Sequence, residues 1–187
     1  MPFTHVALVG LMGSGKSAVG EIVGARLGLP LVDVDDEITR RTGRSVRDLW
    51  EEGGEAAYRP LEQAIVLEAL APGPGKVLAA PGGVVVDPIA EEALDQAHVA
   101  VAYLRAAPET LAERVREDDQ PRPLLTPDPF ERLRDMHDRR DHRYRALAQL
   151  TEDVEGRSPQ QLADAVIDAF AVDLARSDLP PSATEDR

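Results

Sequence analysis

Apolar residues gather into five short runs, at residues 3–9, 29–34, 77–80, 99–104 and, more weakly, 150–154. Each is bounded by polar or turn-forming residues and is too short for a stable helix, so each is expected to be a strand. Stretches of helical periodicity separate them, and that alternation predicts a parallel sheet with crossover helices. The run Val99-Ala100-Val101-Ala102-Tyr103-Leu104 is continuously apolar, the pattern of a strand covered on both faces. A first helix is expected over residues 18–27. Ser45-Val46-Arg47-Asp48 reads as a capping box opening a short helix through Trp50. Residues 55–71 are also helical in pattern, and Pro60 should lie at a kink or in the first turn of a fresh start, because a helix interior holds proline only at a cost. Residues 118–129 are polar and contain prolines at 121, 123, 127 and 129, which is loop or lid chemistry. Residues 130–148, rich in Arg and Asp, should form an exposed helix. Ser158-Pro159 should cap an amphipathic helix through about residue 175. The tail, 176–187, has two prolines and little that could pack, so disorder is expected there. No internal repeat is visible.

Composition narrows this picture. At 187 residues the chain suits one well-buried α/β domain, over about 1–175, better than two. With 43% hydrophobic residues but only 4% aromatic, the core must be built mainly from Ala, Val, Leu and Ile. A net charge of −13 argues against nucleic acid or an anionic membrane as the main partner, since phosphate backbones would be repelled. It leaves room for a nucleotide site, where local cations decide. The absence of cysteine removes disulfides and thiolate metal sites. Met1-Pro2-Phe3-Thr4 runs directly into the first strand, and no apolar run reaches the roughly 18 residues of a membrane helix. A soluble cytoplasmic protein is the expectation, without signal peptide or membrane span.

The chemistry begins at Gly10-Leu11-Met12-Gly13-Ser14-Gly15-Lys16-Ser17, a complete G-x-x-x-x-G-K-[ST] phosphate loop between a predicted strand and a predicted helix. In that setting the glycines let backbone N–H groups curl round phosphate oxygens, and the helix N-terminus, with Ala18 in its first turn, adds positive potential. Lys16 would neutralise the β- and γ-phosphates, and the Ser17 hydroxyl would ligate Mg²⁺. Lysine is scarce: only Lys16 and Lys76 occur, against nineteen arginines. A compact ammonium thus stands where a phosphate loop wants one. Further on, Asp33 and Asp35 close the second apolar run. Strand alternation would put both carboxylates on one side, at the sheet edge where α/β proteins bind ligands. One near Mg²⁺ and one near an acceptor hydroxyl would suit phosphoryl transfer to an alcohol. The same residues also read as a helix start, with Asp36 and Glu37 in its first turn.

The order of motifs resembles the shikimate kinases, small P-loop enzymes of the nucleoside-monophosphate-kinase type. The resemblance is carried by Gly10 to Ser17, Leu31-Val32-Asp33-Val34-Asp35 and Thr42-Gly43-Arg44-Ser45-Val46. Gly53-Gly54-Glu55-Ala56-Ala57-Tyr58-Arg59-Pro60-Leu61-Glu62, Gly82-Gly83, Arg122-Pro123-Leu124-Leu125 and Arg140-Asp141-His142-Arg143-Tyr144 follow in turn. Together they span about residues 5–170. The resemblance implies a three-layer α/β/α P-loop kinase fold with a central five-stranded parallel sheet, an acceptor-binding region at about 35–63 and a mobile lid at about 117–129. It implies ATP and Mg²⁺ as cofactors, with Gly13, Ser14, Gly15, Lys16, Ser17, Ala18, Arg116 and Arg122 on the nucleotide side. By the same likeness Ser17 and Asp33 serve the metal, and Asp35 holds the acceptor hydroxyls as candidate base. Arg59 and Arg140, with Gly82 and Gly83, meet the substrate carboxylate, a task that suits a planar bidentate fork. Arg122 corresponds to the lid arginine that reaches the transferring phosphate, and Lys16, Asp35 and Arg122 form the implied catalytic set. Either Arg114 or Arg116 would lie against adenine.

The family usually carries three consecutive glycines after its third strand, whereas this chain has Pro81-Gly82-Gly83. Pro81 removes one N–H donor and excludes φ > 0 at its position. The expected reaction is ATP-dependent phosphorylation of the shikimate 3-hydroxyl, in aromatic amino-acid biosynthesis, by a monomer. The alternatives are a P-loop kinase for a related cyclitol or sugar acid, motivated by Pro81, and a nucleotide-binding module without turnover. No N-K-x-D guanine-reading motif and no G-x-S-x-G elbow are present. The histidines at 5, 98, 137 and 142 form no i,i+4 pair and are expected at the surface or at strand ends.

Overall fold

The computed structural model describes residues 3–117, 125 and 128–177 of the chain. Five strands are formed: β1 (His5–Val9), β2 (Leu31–Asp33), β3 (Val77–Ala79), β4 (Val99–Arg105) and β5 (Leu150–Asp153). All pair in parallel in the order β2-β3-β1-β4-β5. β1 is buried throughout and six of seven β4 residues are buried, as continuous apolar runs require. β5, at one edge, alternates between half-buried and exposed positions. Four strands lie within the ranges expected for them, and β4 runs one residue further, to Arg105.

Six helices lie between the described strands, α1 (Lys16–Leu27), α2 (Val34–Thr42), α3 (Val46–Leu70), α4 (Pro88–Leu94), α5 (Pro108–Glu117) and α6 (Pro129–Leu147), and α7 (Pro159–Ser177) follows β5. A short 3₁₀ turn spans Val84–Val86. α1 packs against α7, whereas α3 meets α4, and α6 meets the 3₁₀ turn and β4. The sheet is thus a central layer between helices, and the architecture is the expected α/β one.

The sequence explains where the helices begin. Ser45 Oγ accepts the Asp48 N–H at 3.1 Å while an Asp48 carboxylate oxygen accepts the Ser45 N–H at 3.3 Å, so the capping box forms. Asp87 and Asp128 cap α4 and α6, each followed by proline at the first helical position. The break in α3 differs from expectation. It falls at Gly54 (φ 59°, ψ −154°), and Pro60 sits inside the second segment with helical backbone. Gly54 alone can adopt that conformation cheaply, so the chain turns there and not at the proline.

Two more boundaries move. α7 continues through Ser177, so residues 176 and 177, expected in the tail, are helical. Residues 178–187 lie outside the described residues. α5 extends to Glu117 and α6 starts at Pro129, so both ends of the expected lid belong to helices. Of the segment between, residues 118–124 and 126–127, Arg122 included, lie outside the described residues; Leu125 is buried.

Candidate active site

Because every strand runs the same way, the loops after β1, β2 and β3 emerge at one edge of the sheet. β1 lies between β3 and β4, the point where the strand order reverses and open α/β sheets form their crevice. The phosphate loop leaves β1 there. Gly13 (φ 84°) and Gly15 (φ 91°) take left-handed backbone, and Gly15 ends the loop as the N-cap of α1. No side chain caps α1, whose first N–H groups are thus left to a ligand. Lys16 Nζ donates to the carbonyls of Gly10 and Leu11, both at 3.0 Å, which folds the ammonium over the loop. Ser14 is buried, and its Oγ has no partner among the described residues.

Asp33 is the last residue of β2 and the N-cap of α2. One carboxylate oxygen accepts the Asp35 and Asp36 N–H groups at 3.1 and 3.5 Å; the other accepts the Ser17 hydroxyl at 2.5 Å. Asp35 is not on the strand, contrary to the alternation argument. It occupies the first turn of α2, because Asp33 captures the following N–H groups and starts a helix. Helix-start and site chemistry therefore coincide in one carboxylate. Asp35 Oδ1 accepts a hydrogen bond from the Tyr58 hydroxyl at 2.5 Å.

Tyr58 leads directly to Arg59. The Arg59 guanidinium bonds Glu55 at 2.8 Å through Nε and Glu62 at 2.7 Å through Nη1. Burial works against its charge, but the two carboxylates outweigh it and hold the guanidinium ionised. Burial pushes the Glu62 carboxyl above its usual range despite the pull of Arg59. Arg59 Nη1 lies only 2.1 Å from where a Cβ on Gly83 would be. A side chain at 83 would push the guanidinium away from the backbone, so glycine there permits the close approach.

Arg140 reaches the same loop from α6. Its Nη1 donates to the Gly82 carbonyl at 2.8 Å, beside the Tyr144 hydroxyl, which donates to the same oxygen at 2.6 Å. Arg140 and Tyr144 are i,i+4 on one helix face, and Tyr144 stacks on Tyr103 of β4 with ring centroids 4.8 Å apart. A Cβ on Gly82 would lie 3.6 Å from the Gly10 carbonyl oxygen, so the glycine pair abuts the phosphate loop. Pro81 is compatible with this loop: its carbonyl accepts the Val84 N–H at 3.0 Å, and neither Gly82 nor Gly83 takes left-handed backbone.

On the other flank, Arg114 Nη1 donates to the Gly13 carbonyl at 3.2 Å, while Arg116 is exposed in the last turn of α5. Ala18 lies in the first turn of α1. The fold therefore brings Gly13 to Ser17, Asp33, Asp35, Arg59, Gly82, Gly83 and Arg140 to one sheet edge. Tyr58 and Tyr144 join them unforeseen. Both stand inside motifs that carry the resemblance, next to or one turn from a singled-out arginine, but the motifs assign neither of them a role.

The donor set can be tested against the expected metal. A serine hydroxyl and a carboxylate are hard oxygen donors, and Mg²⁺ typically takes one or two protein oxygens, with waters and phosphates filling the rest. Asp33 accepts the Ser17 hydrogen, which leaves the hydroxyl lone pairs available to a cation. The residues fit Mg²⁺. No cluster of three or more His, Cys, Asp or Glu side chains suited to a metal occurs among the described residues, and no helix there is long and apolar enough to cross a membrane.

Residues 12–171 match the family model described as shikimate kinase. The chain is 44% identical to a shikimate kinase of Paracidovorax citrulli over 149 residues, covering 79% of this chain and 80% of that one. A Thiobacillus denitrificans shikimate kinase is 43% identical over 155 residues, covering 82% and 83%. The solved shikimate kinase of Acinetobacter baumannii, in complex with shikimate, superposes with a TM-score of 0.83 at 31% identity, covering 95% of this chain and 96% of that one. On this evidence the chain belongs to the shikimate kinase family, whose members are kinases that use ATP as phosphate donor.

Proposed function

We propose that this protein transfers the γ-phosphoryl group of ATP to the 3-hydroxyl of shikimate, with Mg²⁺ as cofactor. The observation that carries the reading is the convergence of Arg59 and Arg140 on the Gly82–Gly83 pair, directly against the phosphate loop. Two guanidinium groups at a backbone notch form a receptor for a carboxylate, and the ring it anchors would present a hydroxyl toward Asp35. The Acinetobacter relative bound to shikimate supports the choice of acceptor.

In this reading the N–H groups of Gly13, Ser14, Gly15 and the start of α1, including Ala18, cradle the phosphates, and Lys16 offsets their charge. Ser17 and Asp33 would hold Mg²⁺, whose charge would offset that developing on the phosphates. Asp35 accepts the proton of the attacking hydroxyl. The acceptor oxygen bonds to the γ-phosphorus as the bond from that phosphorus to the β-phosphate oxygen breaks, and ADP leaves. Arg122, which the family resemblance assigns to a lid at about 117–129 of a single domain of about 1–175 and which lies outside the described residues, would add positive charge to the transferring group. The acceptor region is 35–63. Arg114 lies nearer the phosphate loop than Arg116 and is the better placed of the two for the nucleotide.

An acceptor panel with ATP and Mg²⁺, read by coupled ADP release, tests the proposal. Shikimate should be turned over. Its methyl ester should lose about 2–4 kcal/mol in kcat/KM, because two half-buried arginines then face a neutral group. A carboxylate-free cyclitol should be a poor acceptor; strong turnover of it would replace the proposed substrate. Lys16→Ala should lose about 100-fold or more in kcat while keeping the fold. A variant retaining half the activity would overturn the assignment of the phosphate loop.

A further inference from the structure

Tyr58 is buried, 4% exposed, with its ring edge-on to Trp50 at a centroid distance of 6.1 Å. Its hydroxyl is 2.5 Å from Asp35 Oδ1. A phenylalanine would fill the same space and make the same contact with Trp50. Burying a phenolic hydroxyl carries a desolvation penalty that only a good hydrogen bond offsets, so the oxygen has a polar task. The phenol has one proton to give, and although Glu62 also faces it, the hydroxyl donates to Asp35 Oδ1. Burial, reinforced by the charges of Asp35 and Glu62, drives the ionisation of Tyr58 far above its ordinary value. Tyr58 stays a donor at any working pH and cannot serve as the base itself.

An aspartate on an exposed first helical turn has two free torsions, and its carboxylate samples several orientations. A short bond from a ring locked in the core removes that freedom. We propose that Tyr58 is a positioning residue for phosphoryl transfer, its hydroxyl pinning Asp35 Oδ1 so that Oδ2 is held for the acceptor hydroxyl. The inference rests on the reading of Asp35 as the acceptor-side base.

The test compares the wild type with Tyr58→Phe, Asp35→Asn and the double variant, using kcat, separate KM values for ATP and shikimate, and thermal melts. Tyr58→Phe should lower kcat about tenfold, leave the ATP KM within about twofold and shift Tm by no more than a few degrees. In the Asp35→Asn background the same change should cost less than about twofold, because the carboxylate to be positioned is gone. Binding of shikimate can be followed through the fluorescence of Trp50, the single tryptophan. Three results would overturn the inference: more than half of wild-type kcat in Tyr58→Phe, an equal loss in both backgrounds, or a Tm drop above about 8 °C, which would assign the hydroxyl to the fold. Wild-type kcat in Asp35→Asn alone would show that the reading of the site had failed first, and the inference with it.

Discussion

At the scale of single residues, the site depends on several that do two jobs. Asp33 starts a helix and orients Ser17, so its removal should disturb both. Gly83 bears no functional group, yet any side chain there would meet the Arg59 guanidinium. Gly83→Ala should therefore displace Arg59 and raise the KM for shikimate by about tenfold, with the KM for ATP unchanged and Tm within a few degrees. Equal effects on both KM values would mean that the loop itself had collapsed. The motif identified Gly83 as a ligand residue; its steric role became visible only once α3 and the loop after β3 were seen in contact. Tyr58 and Tyr144 were missed for a related reason. A lone aromatic in a helix pattern says core, and only a partner distant in sequence reveals what its hydroxyl does.

Among elements, α3 shows how local rules compete. Pro60 and Gly54 both signal a break, and the break occurs at the glycine because its backbone adopts φ 59° and ψ −154°, which other residues avoid. Gly54→Ala should destabilise the protein by about 1–3 kcal/mol, measured by urea unfolding. An unchanged midpoint would mean the segment can straighten without penalty. α6 shows the opposite case. Its charge pattern reads as a solvated helix, yet one face docks through Tyr144 on Tyr103, and that docking delivers Arg140 to Gly82. Asp141, one residue on, binds the Tyr103 hydroxyl at 2.9 Å and Arg105 at 3.0 Å, and pairs with Arg145 at 2.8 Å. The arginine-rich run is thus split between site, scaffold and solvent by which side of the helix each residue occupies.

Across the whole molecule, the sheet separates chemistry from a histidine pair at its opposite edge. His5, wholly buried at the start of β1, donates through Nε2 to the Ala71 carbonyl at 3.1 Å, and its ring lies 5.5 Å from that of His98. His98 in turn donates to the Leu70 carbonyl at 2.9 Å. Burial lowers the His5 pKa from 6.5; His98 and Lys76 add to this, and the Ala71 carbonyl opposes it. Folded His5 is therefore neutral, while the unfolded chain takes up its proton as pH falls through about 6.5, so stability declines below that value. Melts between pH 7.5 and 5 should show His5→Phe about 1 kcal/mol less stable at pH 7.5, from the lost hydrogen bond, but with a shallower acid decline. Parallel curves would exclude His5 as the responsible group.

The five strands, the phosphate loop, the Ser45 capping box and the family were legible along the chain, because each rests on interactions among neighbours in it: apolar periodicity, backbone reach and turn chemistry. The sequence also named Asp33, Asp35, Arg59 and Arg140. What it could not supply was how they meet. That Tyr58 binds Asp35, that Arg59 abuts Gly83, and that Arg114 donates to the phosphate loop all depend on contacts between segments far apart along the chain. Only the packing of helices on the sheet decides those contacts, since side chains with identical local patterns acquire different partners once the tertiary structure closes around them.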